Sequence, residues 1–181
     1  MEKRHGIVIV PITKFPGDRK GPAYEQDWYE AVKHAKTLLN WFHNEDKSAF
    51  ILVLSDVMVD GYPHEADTYH DALREIGVEE KDIEVVKEGQ ETVGQIEWLK
   101  QNYDESDIWL LSVRIHAPRV RYICKKFGLK ANHKTIHEGK KRTKEAITDF
   151  ILNFAFPVIH FLGLTKWFQK KVVGRRKSGK H

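Results

Sequence analysis

The sequence predicts an α/β fold: a three-layer sandwich whose mostly parallel five-stranded sheet carries helices on both faces, with an extra C-terminal helical segment. Short apolar, β-branched runs alternate five times with segments whose apolar residues recur at helical spacing. No internal repeat or low-complexity stretch interrupts that alternation. The chain has 181 residues, 41% hydrophobic and 31% charged, which suits one soluble domain with a core of useful size.

The first strand is expected over Gly6 to Ile12, GIVIVPI, and a polar loop with Pro16, Gly17, Gly21 and Pro22 follows. Trp28, Ala31, Val32, Ala35, Leu38, Leu39 and Phe42 then keep the period of a helix. Ala49 to Leu54 reads as the second strand, closed by Ser55 and Asp56. After the Gly61–Pro63 turn, Ala66, Tyr69, Leu73 and Ile76 mark a second helix that Gly77 caps. Ile83 to Val86 is the third strand, Gly89 turns the chain, and Val93, Ile96 and Leu99 mark the third helix. Ile108 to Leu111 opens the fourth strand. A short polar loop leads to a helix that has Pro118 in its first turn and Gly128 at its end. Lys130 to Ile136 is the fifth and weakest strand.

The C-terminal part is different. Ala146 to Leu164 is mainly apolar and aromatic, but Asp149, Asn153, Pro157 and His160 interrupt it. A membrane span needs about 20 dominantly apolar residues. Three uses are open: a helix closing the last face of the sheet, a dimer surface, or peripheral contact with an anionic membrane. The third draws on the basic stretch that follows, at ~1 kcal/mol per cation near the surface. The α/β domain is thus expected over residues 1–164 and a basic tail over 165–181.

Charge is unevenly spread. The net charge is +4, yet no Asp or Glu follows Asp149, and Lys166, Lys170, Lys171, Arg175, Arg176, Lys177 and Lys180 lie near the C-terminus. Setting those seven aside leaves 23 basic against 26 acidic residues, so the body is mildly acidic. That argues against a specific nucleic-acid groove in the domain. The single cysteine, Cys124, excludes an intrachain disulfide and fits a reduced, cytoplasmic setting. Its place in a helical pattern makes it a core residue. No secretory signal is expected, because MEKRHG leads directly into a short β-branched run.

The turn after the fourth strand carries the most chemistry. His116 and Arg119 fall at a helix start, where unpaired amides and the helix dipole favour an anion. Locally, a capping role for His116 and an ion pair for Arg119 read equally well. Strand ends place Asp56, Glu65, Thr92, Arg114, His116, Arg119 and His137 on one rim, the edge where open α/β sheets bind ligands. Arg119 would clamp an oxyanion and His116 would carry a proton. Glu65 would orient His116 or activate water. Ser55, Asp56, Thr92, Gln95, Ser112 and Arg114 are the candidate ligand contacts.

No metal is expected. His133 and His137 lie on a strand, where a four-residue step is about 13 Å, too long to share one ion at ~2 Å. Gly174 to His181 imitates a phosphate loop but has His181 in the magnesium-binding position; it reads as a disordered basic tail.

His116-Ala-Pro-Arg119 after a strand ending Leu111-Ser112 resembles the signature of the YdcF, SanA and ElyC group. So do Glu65-Ala66 opening a helix that exits through Gly77-Val78 to Asp82-Ile83, and the turn from Glu88 through Thr92 to Gln95. Glu145 resembles a late glutamate of that group. The likeness runs from Gly6 to about Leu164. The sequence departs from the pattern at Pro11-Ile12-Thr13 and Ser55-Asp56, where glycines are usual, at Gln95, and in lacking an arginine in the first helix.

The resemblance implies a Rossmann-like fold, envelope-linked processes, and a nucleotide-like or S-adenosylmethionine-like ligand. It also strengthens Glu65, His116 and Arg119 as site residues. N-terminal anchors are common in that group and none is expected here. Two functions follow as expectations: a hydrolase or transferase acting on a small phosphate-bearing or nucleotide-like substrate, or a non-catalytic module binding such a ligand. Either would be cytoplasmic or peripheral on the inner membrane face.

Overall fold

A computed structural model of the chain describes residues 5–9, 22–58, 63–103, 108–136 and 143–177. The elements run β1 (His5–Ile9), α1 (Pro22–Asn44), β2 (Ala49–Leu54), α2 (Glu65–Glu75), β3 (Ile83–Val86), α3 (Thr92–Asn102), β4 (Ile108–Val113), α4 (Ala117–Phe127), β5 (Asn132–Ile136), α5 (Thr143–Phe161) and α6 (Thr165–Lys177). One 3₁₀ turn, Glu80–Asp82, precedes β3. The expected extension of the first strand to Ile12, the loop around Gly17 and Gly61 lie outside the described residues.

The five strands form one sheet in the order β3-β2-β1-β4-β5, and every neighbouring pair is parallel. Val8 lies opposite both Leu52 of β2 and Leu110 of β4, so β1 is the central strand. Alternation along β2 sorts its side chains between two cores. Ala49, Ile51 and Val53 face α1 and α2, where they meet Ala31, Ala35, Leu39, Tyr69 and Leu73. Phe50, Leu52 and Leu54 face α3 and α4, where they meet Val93, Ile96, Val120 and Ile123. All six residues of β2 are buried, as a strand covered on both faces requires. This is the Rossmann-like three-layer arrangement, with helices on each face of a parallel sheet.

Helix ends follow the sequence closely. Gly77 and Gly128 take positive φ, +83° and +71°, just beyond α2 and at the end of α4. At Gly89, φ +72°, an added Cβ would sit 2.8 Å from the backbone nitrogen of Gln95. Only a residue without a side chain lets the β3–α3 turn lie against α3 there.

α5 completes the second core with one side only. Phe156 is fully buried, stacking edge-on to Tyr122 of α4 and Phe168 of α6 at centroid distances of 6.1 and 5.9 Å. The chain is helical from Thr165 through Lys177, so Gly174 to Lys177, expected to be disordered, is helical, and residues 178–181 lie outside the described residues. Phe168 against Phe156 and a hydrogen bond from Gln169 Nε2 to Glu91 Oε1, 2.9 Å, hold that helix on the domain. No helix among the described residues is long and apolar enough to cross a membrane.

Candidate functional site at the strand C-terminal rim

The strand order reverses between β1 and β4, so the crevice of this fold opens beyond their carboxyl ends. The loop after β1 lies outside the described residues. The other walls come from the segments after β2, β3 and β4. Seven polar or charged residues are buried in the described chain: Ser55, Glu65, Asp82, Gln95, Ser112, His116 and Arg119. All except Asp82 lie at this edge of the sheet: Ser112 at the end of β4, and the others on these segments or on the first turns of the helices they feed. Burying polar groups is unfavourable unless they are satisfied, so their concentration at one edge of the sheet marks that edge as special.

The end of β2 forms the first cluster. Ser55 Oγ donates to Glu65 Oε2 at 2.5 Å and accepts from Val57 N at 3.2 Å. Glu65 N donates to Val57 O, which ties the start of α2 to the loop leaving β2. Asp56 is half-buried. Gln90 Nε2 donates to its Oδ2 at 2.8 Å, and His64 Nε2 stands 3.4 Å from its Oδ1. His64 caps α2 by accepting from Ala66 N at its Nδ1, so its Nε2 carries the hydrogen directed at Asp56. Sequence reasoning missed His64 and Gln90. Their positions next to Glu65 and within the turn after Gly89 were the available signals.

The turns after β3 and β4 form the second cluster. Arg119 Nη2 donates to His116 Nδ1 at 2.6 Å, and His116 Nε2 lies 3.2 Å from Thr92 Oγ1. A guanidinium can only donate, so Nδ1 is the acceptor and Nε2 bears the ring hydrogen. The result is a directed chain: Arg119 donates to His116, which donates to the Thr92 hydroxyl, and Thr92 keeps its own hydrogen for a further acceptor. His116 is 1% exposed, and each ring nitrogen faces a protein partner. In this arrangement it orients Thr92. It does not present a basic nitrogen to a substrate.

Gln95 joins the clusters by donating to Leu54 O at 2.8 Å. Ser112 is buried at the end of β4, where alternation turns it to the same face as Leu110. Arg114 is exposed, and its backbone amide donates to Ile136 O. His137 lies outside the described residues, and α5 includes Glu145.

The backbone amides depart from expectation. At the start of α4, His116 N donates to Val113 O, Arg119 N and Val120 N donate to His116 O, and Pro118 has no N–H. At the start of α3, the Glu91 carboxylate accepts from Val93 N and Gly94 N at 2.8 and 2.7 Å. Much of the expected cradle of unpaired amides is therefore already taken up in these two turns. Recognition of an anion falls to side chains. The rim carries Arg114 and Arg119 as cations beside the carboxylates of Asp56, Glu65 and Glu91, so its polarity is mixed.

Other reactive groups can be placed. Cys124 is buried, and burial pushes its thiol up to about 12, which fits a core residue. Burial, then the nearby Arg121, holds the His133 imidazole below its usual range. Among the described residues no group of His, Cys, Asp or Glu is placed to hold a metal ion. In comparison with known proteins, the chain matches no family model, no curated protein and no solved structure.

Proposed function

We propose that this chain binds a small phosphate-bearing, nucleotide-like ligand at the strand C-terminal rim. The observation that carries the proposal is the gathering of six buried polar residues at the C-terminal edge of the sheet, at the end of β4 and on the turns and helix starts that follow β2, β3 and β4. The mixed polarity favours a nucleotide over a bare phosphate. Asp56 stands just past β2, where doubly wound folds place the acid that accepts a ribose hydroxyl. Thr92, oriented by His116 and Arg119, has a hydroxyl to donate to a phosphate oxygen, and Arg114, two residues before His116, supplies an exposed cation on the turn after β4. S-adenosylmethionine has the same ribose and replaces the phosphates with a sulfonium that the rim carboxylates suit. It is nucleotide-like through that ribose but bears no phosphate, so it would use the Asp56 side of the rim. The resemblance to the YdcF, SanA and ElyC group supports this reading through Thr92, His116 and Arg119, while Asp56 stands where that group usually carries glycine.

Hydrolysis or group transfer on that ligand is the second reading. Glu65 favours it: a buried carboxylate on the rim, held by Ser55, is the group best placed to take a proton. Thermal shift and titration calorimetry with ribonucleotides, S-adenosylmethionine, phosphomonoesters and inorganic phosphate test both readings. Stabilisation by a ribonucleotide or S-adenosylmethionine is expected, because binding to the folded state raises stability. Thr92→Val should weaken phosphate-bearing ligands about 10- to 100-fold, the worth of a hydrogen bond to a charged group. Asp56→Asn should weaken every ligand that carries ribose. Inorganic phosphate binding as well as any nucleotide, or no member of the panel shifting the transition, defeats the proposal. Turnover that Glu65→Gln abolishes while binding persists selects the enzyme.

A further inference from the structure

The outer side of α5 is apolar where a solvent-facing helix should be polar. Phe150, Ile151, Phe154, Val158, Phe161 and Leu162 are each at least 56% exposed, and Phe161 reaches 87%. At 3.6 residues per turn they fall within an arc of about 120°, centred opposite the buried Phe156. Side chains of this size make a patch of several hundred Å², at or beyond the largest found on ordinary monomers. α6, which follows directly after the Gly163 turn, has a different chemistry. Phe168 and Gln169 turn inward, while Lys166, Trp167, Lys170 and Lys171 are exposed. Lys171 Nζ stands 5.7 Å from the Trp167 ring. No carboxylate follows Asp149 in the sequence.

We propose that α5 and α6 together form a docking surface for an anionic lipid bilayer, with the α5 stripe entering the acyl boundary and the α6 lysines meeting headgroups. An apolar helical stripe flanked by lysines and a tryptophan is what the bilayer interface accommodates, and neither helix needs to span it. Charge complementarity selects the occupant. The segment is purely cationic beyond Asp149 while the rest of the chain is mildly acidic, so an anionic surface attracts one end of the molecule and repels the other. A second copy would cover the stripe but offer the lysines no carboxylate from its own C-terminal segment. The surface is also fixed to the domain near the rim: Asn153 Nδ2 of α5 donates to Ile115 O at 2.9 Å, and Gln169 of α6 donates to Glu91. The inference does not rest on the ligand proposed above.

The test is co-sedimentation of the full chain with vesicles of phosphatidylcholine alone and of equal parts phosphatidylcholine and phosphatidylglycerol. Recovery with the anionic vesicles only, reduced by added salt, is expected. Lys166→Glu, Lys170→Glu and Lys171→Glu combined should lower the partition coefficient by about a hundredfold or more. Phe154→Ser with Phe161→Ser should release the protein even at low salt. Both sets change exposed side chains, and circular dichroism checks that the fold is kept. Equal recovery with neutral and anionic vesicles, or none with either, overturns the proposal. So does a lipid-independent dimer in sedimentation equilibrium that the double serine variant dissociates, because the stripe then belongs to a second copy.

Discussion

An imidazole bonded at both nitrogens is a different chemical object from one with a nitrogen facing solvent. His116 belongs to the first kind, and its residue type alone did not reveal this. The sequence marked His116 and Arg119 as neighbours one helical turn apart, and they do interact. What it could not mark was that Arg119 donates to Nδ1 and so leaves Nε2 to donate to Thr92, since that wiring depends on where the β3–α3 turn lands. His70 shows the opposite case on the surface. Burial pulls its pKa down, but hydrogen bonds to Glu80 and Asp71 outweigh this and raise it overall above 6.5. A His raised in the folded state adds stability in full below its unfolded value and loses it as pH climbs through the folded one. The urea midpoint should therefore fall slightly as pH rises above the ordinary imidazole range, and His70→Gln should flatten that slope. A wild-type slope that the variant reproduces would assign the pH dependence to other groups.

At the level of elements, β2 and β3 end where the sequence places them, at Ala49–Leu54 and Ile83–Val86. Each is an apolar run closed by polar turn residues, a signal that needs no tertiary help. α6 was illegible for the converse reason. It has many cations, an internal glycine and no apolar stripe of its own, and what fixes it is the contact of Phe168 with Phe156 on another helix. α5 was legible as apolar but not as two-sided, because periodicity cannot tell a buried helix from one with an uncovered face. Two phenylalanines on α5 measure that difference. Phe156→Ala should cost about 3–5 kcal/mol and loosen α6 with it, whereas Phe154→Ala, 65% exposed, should stay within about 0.5 kcal/mol. Chemical denaturation of the two variants decides the point. Equal losses would mean that α5 is packed on both sides.

On the scale of the whole molecule, five alternations imply a parallel sheet but leave strand order open. That β1 is central, with β2 and β3 on one side and β4 and β5 on the other, depends on which crossover passes over which face. This topology puts the rim where the sequence analysis looked for it, yet it also grades stability across the fold. β2 is buried throughout and pairs on both sides, so its amides should exchange with solvent only when the whole domain unfolds. β5 is an edge strand whose side chains are exposed at Asn132 and Lys134, and it should open sooner. Among its described side chains, α6 is held to the rest of the fold by Phe168, Gln169 and the contact of Thr165 with His160. Hydrogen–deuterium exchange read by mass spectrometry should thus find protection falling from β2 to β5 to α6. Addition of anionic vesicles should slow exchange most in α6, whose local opening breaks the bound surface, while β2, which exchanges only by global unfolding, gains no more than the overall stabilisation that binding brings. Protection of α6 equal to that of β2 without lipid would show the C-terminal helices to be part of the cooperative core, stable with their outer face in water.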